Sequence, residues 1–402
     1  MAYLITETGA ELLHDVRRFC ELEVYKQSVR WDREERASAA VLEMVRQLGY
    51  YTLTIPEQLG GLGLGSVDVA AVLEEIAKAD AGLAVSIAGS NLALRTVLAG
   101  GTQEQKEQIC SRIAEGEIGA FCLTETDAGS DVMNMKMRAS HMADQTWMLT
   151  GTKQFITNGS TADFYVVAAV SDETGTPSLF LVDAGTEGLN PGAPEEKLGI
   201  RSCDTCSVDL NYCKIPEANL IGGPEAEHNP NHGMKAILAA LNEGRALMAA
   251  MAVGVAQRAM EEAIKYGKER VQFRRPVTDN QAIRFKLADM QIKIEAARQL
   301  TAHALQVLDN ERNPKQQTMA SIAYMPQLEN AAAAAAMAKS FAADTAIEVT
   351  GGAMEIFGGY GYMTHFSAEK LLRDARVFQI IEGTGEMQRT LIASQLLKEE
   401  RG

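Results

Sequence analysis

Near its C-terminus the chain reads Phe378-Gln379-Ile380-Ile381-Glu382-Gly383-Thr384-Gly385-Glu386. One carboxylate, followed directly by glycine, stands inside an apolar stretch. Ionising a carboxylate there is unfavourable, so its pKa rises toward neutrality, the condition for a general base near pH 7. Gly383 lets a substrate approach the backbone closely. Read alone, the same residues also suit a capping or salt-bridged glutamate, because helical spacing begins near Met387.

Two earlier segments offer backbone ligands to a large polar cofactor. Phe121 to Asp131 is a short apolar strand running into a turn rich in hydroxyls, Gly and Asp. Gly151 to Ser160 is a second strand ending in an Asn-Gly turn. Each ends where N–H groups and a threonine hydroxyl can meet a ring edge or a phosphate.

In this order, ahead of the carboxylate, the segments resemble the acyl-CoA dehydrogenase family. Pro56 to Gly63 is similar to its P-E-x-x-G-G-x-G turn, Leu123 to Asp131 to L-T-E-x-x-A-G-S-D, and Gly151 to Gly159 to G-x-K-x-x-I-T-N-G. Arg270-Val271-Gln272-Phe273 with Gln281 resembles the R-x-x-F…Q cofactor segment. Gly358 to Tyr362, Leu372 to Ala375 and Glu382-Gly383-Thr384 complete the series.

The resemblance implies an enzyme that takes the α-proton of an acyl-CoA with Glu382 and passes the β-hydride to FAD. It implies that the Glu382 N–H and a flavin hydroxyl hold the thioester carbonyl. Phe121, Leu123, Thr124 and Ser130 then fall on the flavin-facing turn, with Ser130 also reaching CoA. Phe155, Ile156 and Thr157 meet the flavin ring. Arg270, Gln272, Phe273, Gln281, Glu355, Gly358 and Gly359 contact the pyrophosphate and adenosine of an FAD in a neighbouring subunit. Thr384 and Glu386 close over the adenine side, while Asn242, Arg245 and Gly383 contact substrate. The implied partners are an electron-transferring flavoprotein and three further copies of the chain, a dimer of dimers. The alternatives at the same site are enoyl-CoA reduction, desulfination or a non-catalytic flavin scaffold.

The chain departs from the family pattern at Thr126 (usually proline), Arg274, Asn242 (usually Asp), Ile381 (often tyrosine) and Glu355. Glu355 puts a negative charge near a diphosphate unless it pairs, for instance with Arg274. A longer segment between Leu308 and Ala331, with an apolar Met319 to Met325, extends a bundle helix or reaches a partner. Alanine at Ala84, where decarboxylating relatives place an arginine, argues against a glutaryl substrate. No second carboxylate is evident near Glu382 except Glu386.

The bulk properties fit. A length of 402 residues supports two or three packed layers or domains. A net charge of −15 disfavours nucleic acid and anionic membranes. No 18-residue apolar run marks a membrane span. The start, Met1-Ala2-Tyr3-Leu4-Ile5, lacks a signal pattern, so the expectation is a cytoplasmic protein. Cys203-x-x-Cys206 and Cys213 lack a second pair at zinc-finger spacing, and His228 and His232 flank a Pro-Asn loop, so no metal is expected.

The elements that must position these residues change character twice. Residues 1–116 carry helical periodicity, as in Val67 to Ala79. Residues 117–232 switch to strand-like runs such as Phe164 to Ala169. Residues 233–402 return to long helices. The expectation is an α+β fold with an N-terminal helical domain, a middle β-barrel-like domain and a C-terminal four-helix bundle. Gly61-Leu62-Gly63-Leu64-Gly65 has the wrong spacing and setting for a dinucleotide turn, which excludes a Rossmann NAD site.

Overall fold

The computed structural model describes residues 5–312 and 330–397. Helices lead: α1 (Glu7–Phe19), α2 (Ser28–Glu34), α3 (Ala39–Gln47), α4 (Ser66–Ala79), α5 (Ala81–Gly100) and α6 (Gln103–Ala114). The strands are β1 (Gly119–Cys122), β2 (Arg138–Met142), β3 (Thr146–Thr157), β4 (Phe164–Ser171), β5 (Pro177–Asp183), β6 (Leu189–Pro191) and β7 (Thr205–Pro216). A short α7 (Gly223–Glu227) precedes the long α8 (His232–Glu269). A hairpin of β8 (Val271–Gln272) and β9 (Arg275–Pro276) leads into α9 (Gln281–Arg312). The chain closes with α10 (Ala331–Phe357), α11 (Ala368–Ala375) and α12 (Gly385–Leu396). Helices, a curled sheet and helices again make the expected α+β fold. The long segment before Ala331 falls on residues 313–329, outside the described ones.

The sheet has seven strands in the order β1-β4-β2-β3-β7-β6, with β5 on β4. β4 is buried throughout because its two faces serve two cores. Phe164, Val166 and Ala168 pack toward the helices, whereas Tyr165, Val167 and Ala169 fill the inside of the curled sheet. Strand side chains alternate between faces, so a strand covered on both sides reads as one unbroken apolar run.

α8 is the spine, packing on α4, α5, α9 and α10. The sequence reading of no membrane-length apolar run needs correction. α5 and α8 each contain a stretch long and apolar enough to cross a membrane, but 78% of each stretch is buried inside the fold. A helix that is apolar all round is what a central core position requires.

Asp80 links three parts of the chain. It caps α5 by accepting from the Leu83 N–H (2.9 Å), and it also accepts from Ser28 Oγ (2.6 Å) and Ser202 Oγ (2.5 Å). Lys370 of α11 reaches both Asp80 (3.2 Å) and Asp374 (2.6 Å), and Asp374 accepts from the Ile200 N–H at 2.6 Å. α11 ends seven residues before Glu382, so this buried network sets where the carboxylate loop begins.

Candidate active site

Glu382 lies in the loop before α12 with φ +54°, and Gly383 follows at φ +96°. A glutamate in the left-handed region is uncommon and mildly strained. The geometry turns the chain sharply into α12, whose first turn Thr384 caps through the Met387 N–H. Three side chains over-determine the loop. Arg245 Nε donates to the Glu382 carbonyl (3.3 Å), Lys339 Nζ to the Gly383 carbonyl (2.6 Å), and Gln388 Nε2 to the same carbonyl (3.0 Å). Among the described residues the Glu382 N–H has no acceptor.

The Glu382 carboxyl reaches back to α8. Its Oε2 is buried and has no hydrogen-bond donor among the described residues. A Cβ placed on Gly244 would stand 2.0 Å from that oxygen, so only glycine leaves room for the carboxylate. Burial raises the Glu382 pKa to about 7, against the opposing pull of Arg245 and Lys339; Glu243 adds to the rise. Burial likewise lowers Lys339 to about 8. A buried carboxyl that takes up a proton near neutrality, beside a free backbone N–H, has the parts needed to deprotonate carbon next to a carbonyl. Gly244→Ala should therefore leave the fold intact but displace the carboxylate, slowing anaerobic flavin reduction by about ten- to hundredfold through misplacement of about 1 Å. An unchanged rate would show that Glu382 works from another position.

Two of the expected substrate residues meet each other beside the Glu382 loop. Arg245 is nearly buried, and its Nη1 donates to Asn242 Oδ1 at 2.9 Å while Nε holds the Glu382 loop. Asn242 stays partly exposed, and among the described residues Arg245 Nη2 has no acceptor. A second carboxylate also lies in the same cavity as Glu382, namely Glu243. Its pKa is pushed up by burial but held below the ordinary range by Arg95 and Arg312.

The two cofactor segments meet. The Gln154 N–H donates to the Thr124 carbonyl at 2.8 Å, joining the strand β3 to the Leu123-Thr124 turn. Beneath them Lys153, fully buried, reaches the Leu123 carbonyl (2.9 Å) and Glu125 (2.7 Å). Glu125 in turn accepts from the Lys136 and Met137 N–H groups. A register shift between Lys153 and Ile156 puts Phe155 at φ +59° and leaves it 67% exposed. Bulges of this kind re-aim side chains beside binding sites. The Ile156 side chain is buried in the sheet core, so it is the backbone of Ile156 that faces a ligand site. Thr157 lies against α5, where a Cβ on Gly89 would come within 2.6 Å of Thr157 Cγ2. Phe121 and Leu123 are half-buried, whereas Ser130 is exposed.

A second group of expected residues gathers elsewhere on the C-terminal helices. Arg270 ends α8 and stacks over the Tyr360 ring at 5.5 Å. Its guanidinium has no hydrogen-bond acceptor among the described residues. Gln272, Phe273, Gln281, Gly358 and Gly359 are all exposed, Phe273 by 91%. A Cβ on Gly358 or Gly359 would meet nothing within 4 Å, so both leave open space beside that free guanidinium. Glu355 pairs with Lys286, not with Arg274, at the exposed edge of the contact between α10 and α9. Among the described residues no hydrogen bond or ion pair ties this group to Glu382 or to β3. Glu386 is exposed in the first turn of α12, its carboxyl held below the ordinary range by its own N–H and the Thr384 hydroxyl.

The free aromatic face of Phe155, the hydroxyl-lined turns and the unpartnered Arg270 beside open glycines suit a flavin dinucleotide. Sequence reasoning missed Lys339, Lys153 with Glu125, and Gly244. The one available signal was a lysine inside the alanine-rich stretch from Ala331, where a charge on an apolar helix must find a partner.

Known proteins agree with this arrangement. The chain matches the acyl-CoA dehydrogenase N-terminal domain over residues 6–117, the middle domain over 120–213 and the C-terminal domain over 231–397. It is 36% identical over 400 residues to a probable acyl-CoA dehydrogenase, FadE25, of Mycobacterium tuberculosis, covering 98% of this chain and 97% of that one. It superposes on butyryl-CoA dehydrogenase from Megasphaera elsdenii with a TM-score of 0.89 and 32% identity, covering 99% of this chain and 100% of that one. A chain in the structural study of the electron transferring flavoprotein of Acidaminococcus fermentans also gives a TM-score of 0.89, at 34% identity, 99% of this chain and 100% of that one. Matched along nearly its whole length, the chain belongs to the acyl-CoA dehydrogenase family, FAD-dependent oxidoreductases acting on the CH–CH bond of an acyl-CoA.

Proposed function

We propose that this enzyme introduces the α,β double bond into a short-chain acyl-CoA, with Glu382 as the base. The observation that carries the reading is the Glu382 carboxyl: buried, without a donor to Oε2 among the described residues, and titrating at about 7. Such a group takes the α-proton at neutral pH, which an exposed carboxylate does poorly. The Glu382 N–H polarises the thioester oxygen, and Arg245 and Lys339 fix the peptide groups on either side. Bound FAD supplies the acceptor for the β-hydride. A short chain is favoured because Leu92, Leu247 and Arg95 close around the cavity beside Glu382, and because a similar protein acts on butyryl-CoA.

The Phe155 and Thr157 face receives the flavin ring, and Arg270, Gln272, Phe273, Gln281, Gly358 and Gly359 receive the dinucleotide of a neighbouring copy. Support comes from the lack of bonds between the two groups within one chain, and from the exposed Phe285 and Ile292 on one side of α9. The assembly is a homotetramer that passes electrons to an electron-transferring flavoprotein. The test is anaerobic bleaching of the purified enzyme's flavin by a panel of acyl-CoAs; if none bleaches it, the reading is wrong. Arg270→Ala should lower FAD occupancy on dilution about tenfold or more, through loss of charge-assisted hydrogen bonds of roughly 1.5–3 kcal/mol. Full retention would remove Arg270 from the cofactor site. Light scattering should give a tetramer, and a stable flavin-loaded monomer would exclude a site shared between copies.

A further inference from the structure

The cavity beside Glu382 runs between two helices, each lining it with a single stripe. α5 presents Ala88, Leu92 and Arg95, and α8 presents Ala240, Gly244 and Leu247, both at i, i+4, i+7 spacing. Glu382 closes over Gly244, and Gly89 of α5 meets Thr157 at the flavin face. Arg95 is six residues further along α5, about 9 Å from Gly89 at 1.5 Å per residue. It therefore stands at the end of the cavity away from Thr157, within reach of the tip of a short acyl chain.

An arginine is an odd wall for an alkyl group. The Arg95 side chain is 16% exposed, and its Nε donates to Glu243. Arg312 holds the same Glu243 oxygen at 2.5 Å, and Asp309 accepts from the Ser66 N–H. Arg95 is thus paired with Glu243 in the cavity wall and backed by Arg312, and what it turns to the cavity is hydrogen-bond donors. Among the described residues neither Nη nitrogen of Arg95 has a hydrogen-bond acceptor. An alkyl tip would strip water from these donors without replacing its hydrogen bonds, whereas an oxygen would satisfy them.

We propose that Arg95 reads an acceptor oxygen at the far end of the acyl group, so the preferred substrate is a short acyl-CoA with a distal hydroxyl, carbonyl or carboxyl. The proposal rests on the dehydrogenase reading only in placing the acyl group in this cavity. Arg95 is a specificity-determining residue, and the alanine at Ala84 leaves it the only arginine lining the cavity among the described residues.

The test compares FAD-loaded wild type, Arg95→Leu and Arg95→Lys. Binding of pentanoyl-CoA, 4-hydroxybutanoyl-CoA, 4-oxopentanoyl-CoA and glutaryl-CoA is measured by calorimetry, and flavin reduction by stopped flow. Wild type should bind the best oxygen-tipped ester about ten- to hundredfold more tightly than pentanoyl-CoA, and the ranking of the three identifies the source of the oxygen. Arg95→Lys keeps a cation against Glu243 but lacks the fork, so it should fold and lose the preference. Arg95→Leu, where it folds, should bind pentanoyl-CoA at least as well as wild type does. Equal or tighter binding of pentanoyl-CoA by wild type overturns the proposal, as does a preference that survives in Arg95→Lys. If no ester reduces the flavin, the dehydrogenase reading falls, while the binding ranks still decide the role of Arg95.

Discussion

Replacing Glu382 by glutamine should give a folded, yellow protein whose flavin is reduced by substrate about 10⁴-fold more slowly or worse. The amide keeps the shape above Gly244 but cannot accept the α-proton. General bases contribute about 10²–10⁴-fold where other groups can substitute, and the neighbours here are poor substitutes. Glu243 shares the cavity but is held ionised by Arg95 and Arg312, which leaves it a weak base. Glu386 is exposed at the start of α12, so Glu386→Gln should reduce at close to the wild-type rate. The wild-type rate should rise with pH through about 7 as Glu382 ionises, a limb that Glu382→Gln lacks. Stability moves the opposite way. Between the ordinary value of 4.5 and about 7 the native carboxyl keeps a proton that the unfolded chain has lost, so wild type loses stability as pH rises across that window. Glu382→Gln should not. Single-turnover reduction near the wild-type rate in Glu382→Gln would end the assignment.

Lys370→Met should destabilise the protein by about 3–5 kcal/mol, the usual consequence of removing one partner from a buried ionic cluster. Burial alone would lower the Lys370 pKa, but Asp374 and Asp80 hold it well above the ordinary range. Asp80 is pushed up by burial yet ends below its ordinary value through Lys370, Ser202, Ser28 and the Leu83 N–H. Asp374 ends above its own, since burial there outweighs Lys370. Without the ammonium, two fully buried carboxylates face each other, and the connection from α5 and Ile200 to α11 loosens. The urea midpoint of Lys370→Met at pH 7 should fall clearly, and Lys370→Met with Asp374→Leu should recover part of the loss. A shift worth under about 1 kcal/mol would mean that water enters the site and solvates the acids. Because α11 leads into the Glu382 loop, flavin reduction should slow as well.

Some of this was present in the order of residues alone. The carboxylate among Phe378, Ile380 and Ile381, the hydroxyl-rich turn after Phe121 and the Asn158-Gly159 turn are local features, and their succession from Pro56 to Thr384 identified the family and the α+β fold. The apolar run from Phe164 to Ala169 read as a strand, while its burial on both faces came from the packing. The return to long helices after residue 233 was legible because periodicity is local. What surrounds the carboxylate was decided by packing. Gly244 and Lys339 meet the Glu382 loop from α8 and α10, and Arg245 reaches it across 137 residues of sequence. No spacing rule relates those positions. The same packing put Glu243 into the cavity, held Arg245 between Asn242 and the Glu382 loop, buried the Ile156 side chain and gave Glu355 to Lys286. Sequence determines which groups are available and what local shape each prefers. Which buried charge faces which oxygen depends on how the helices and the sheet come together, because the strength of these interactions comes from exclusion of water at contacts that only the folded chain makes.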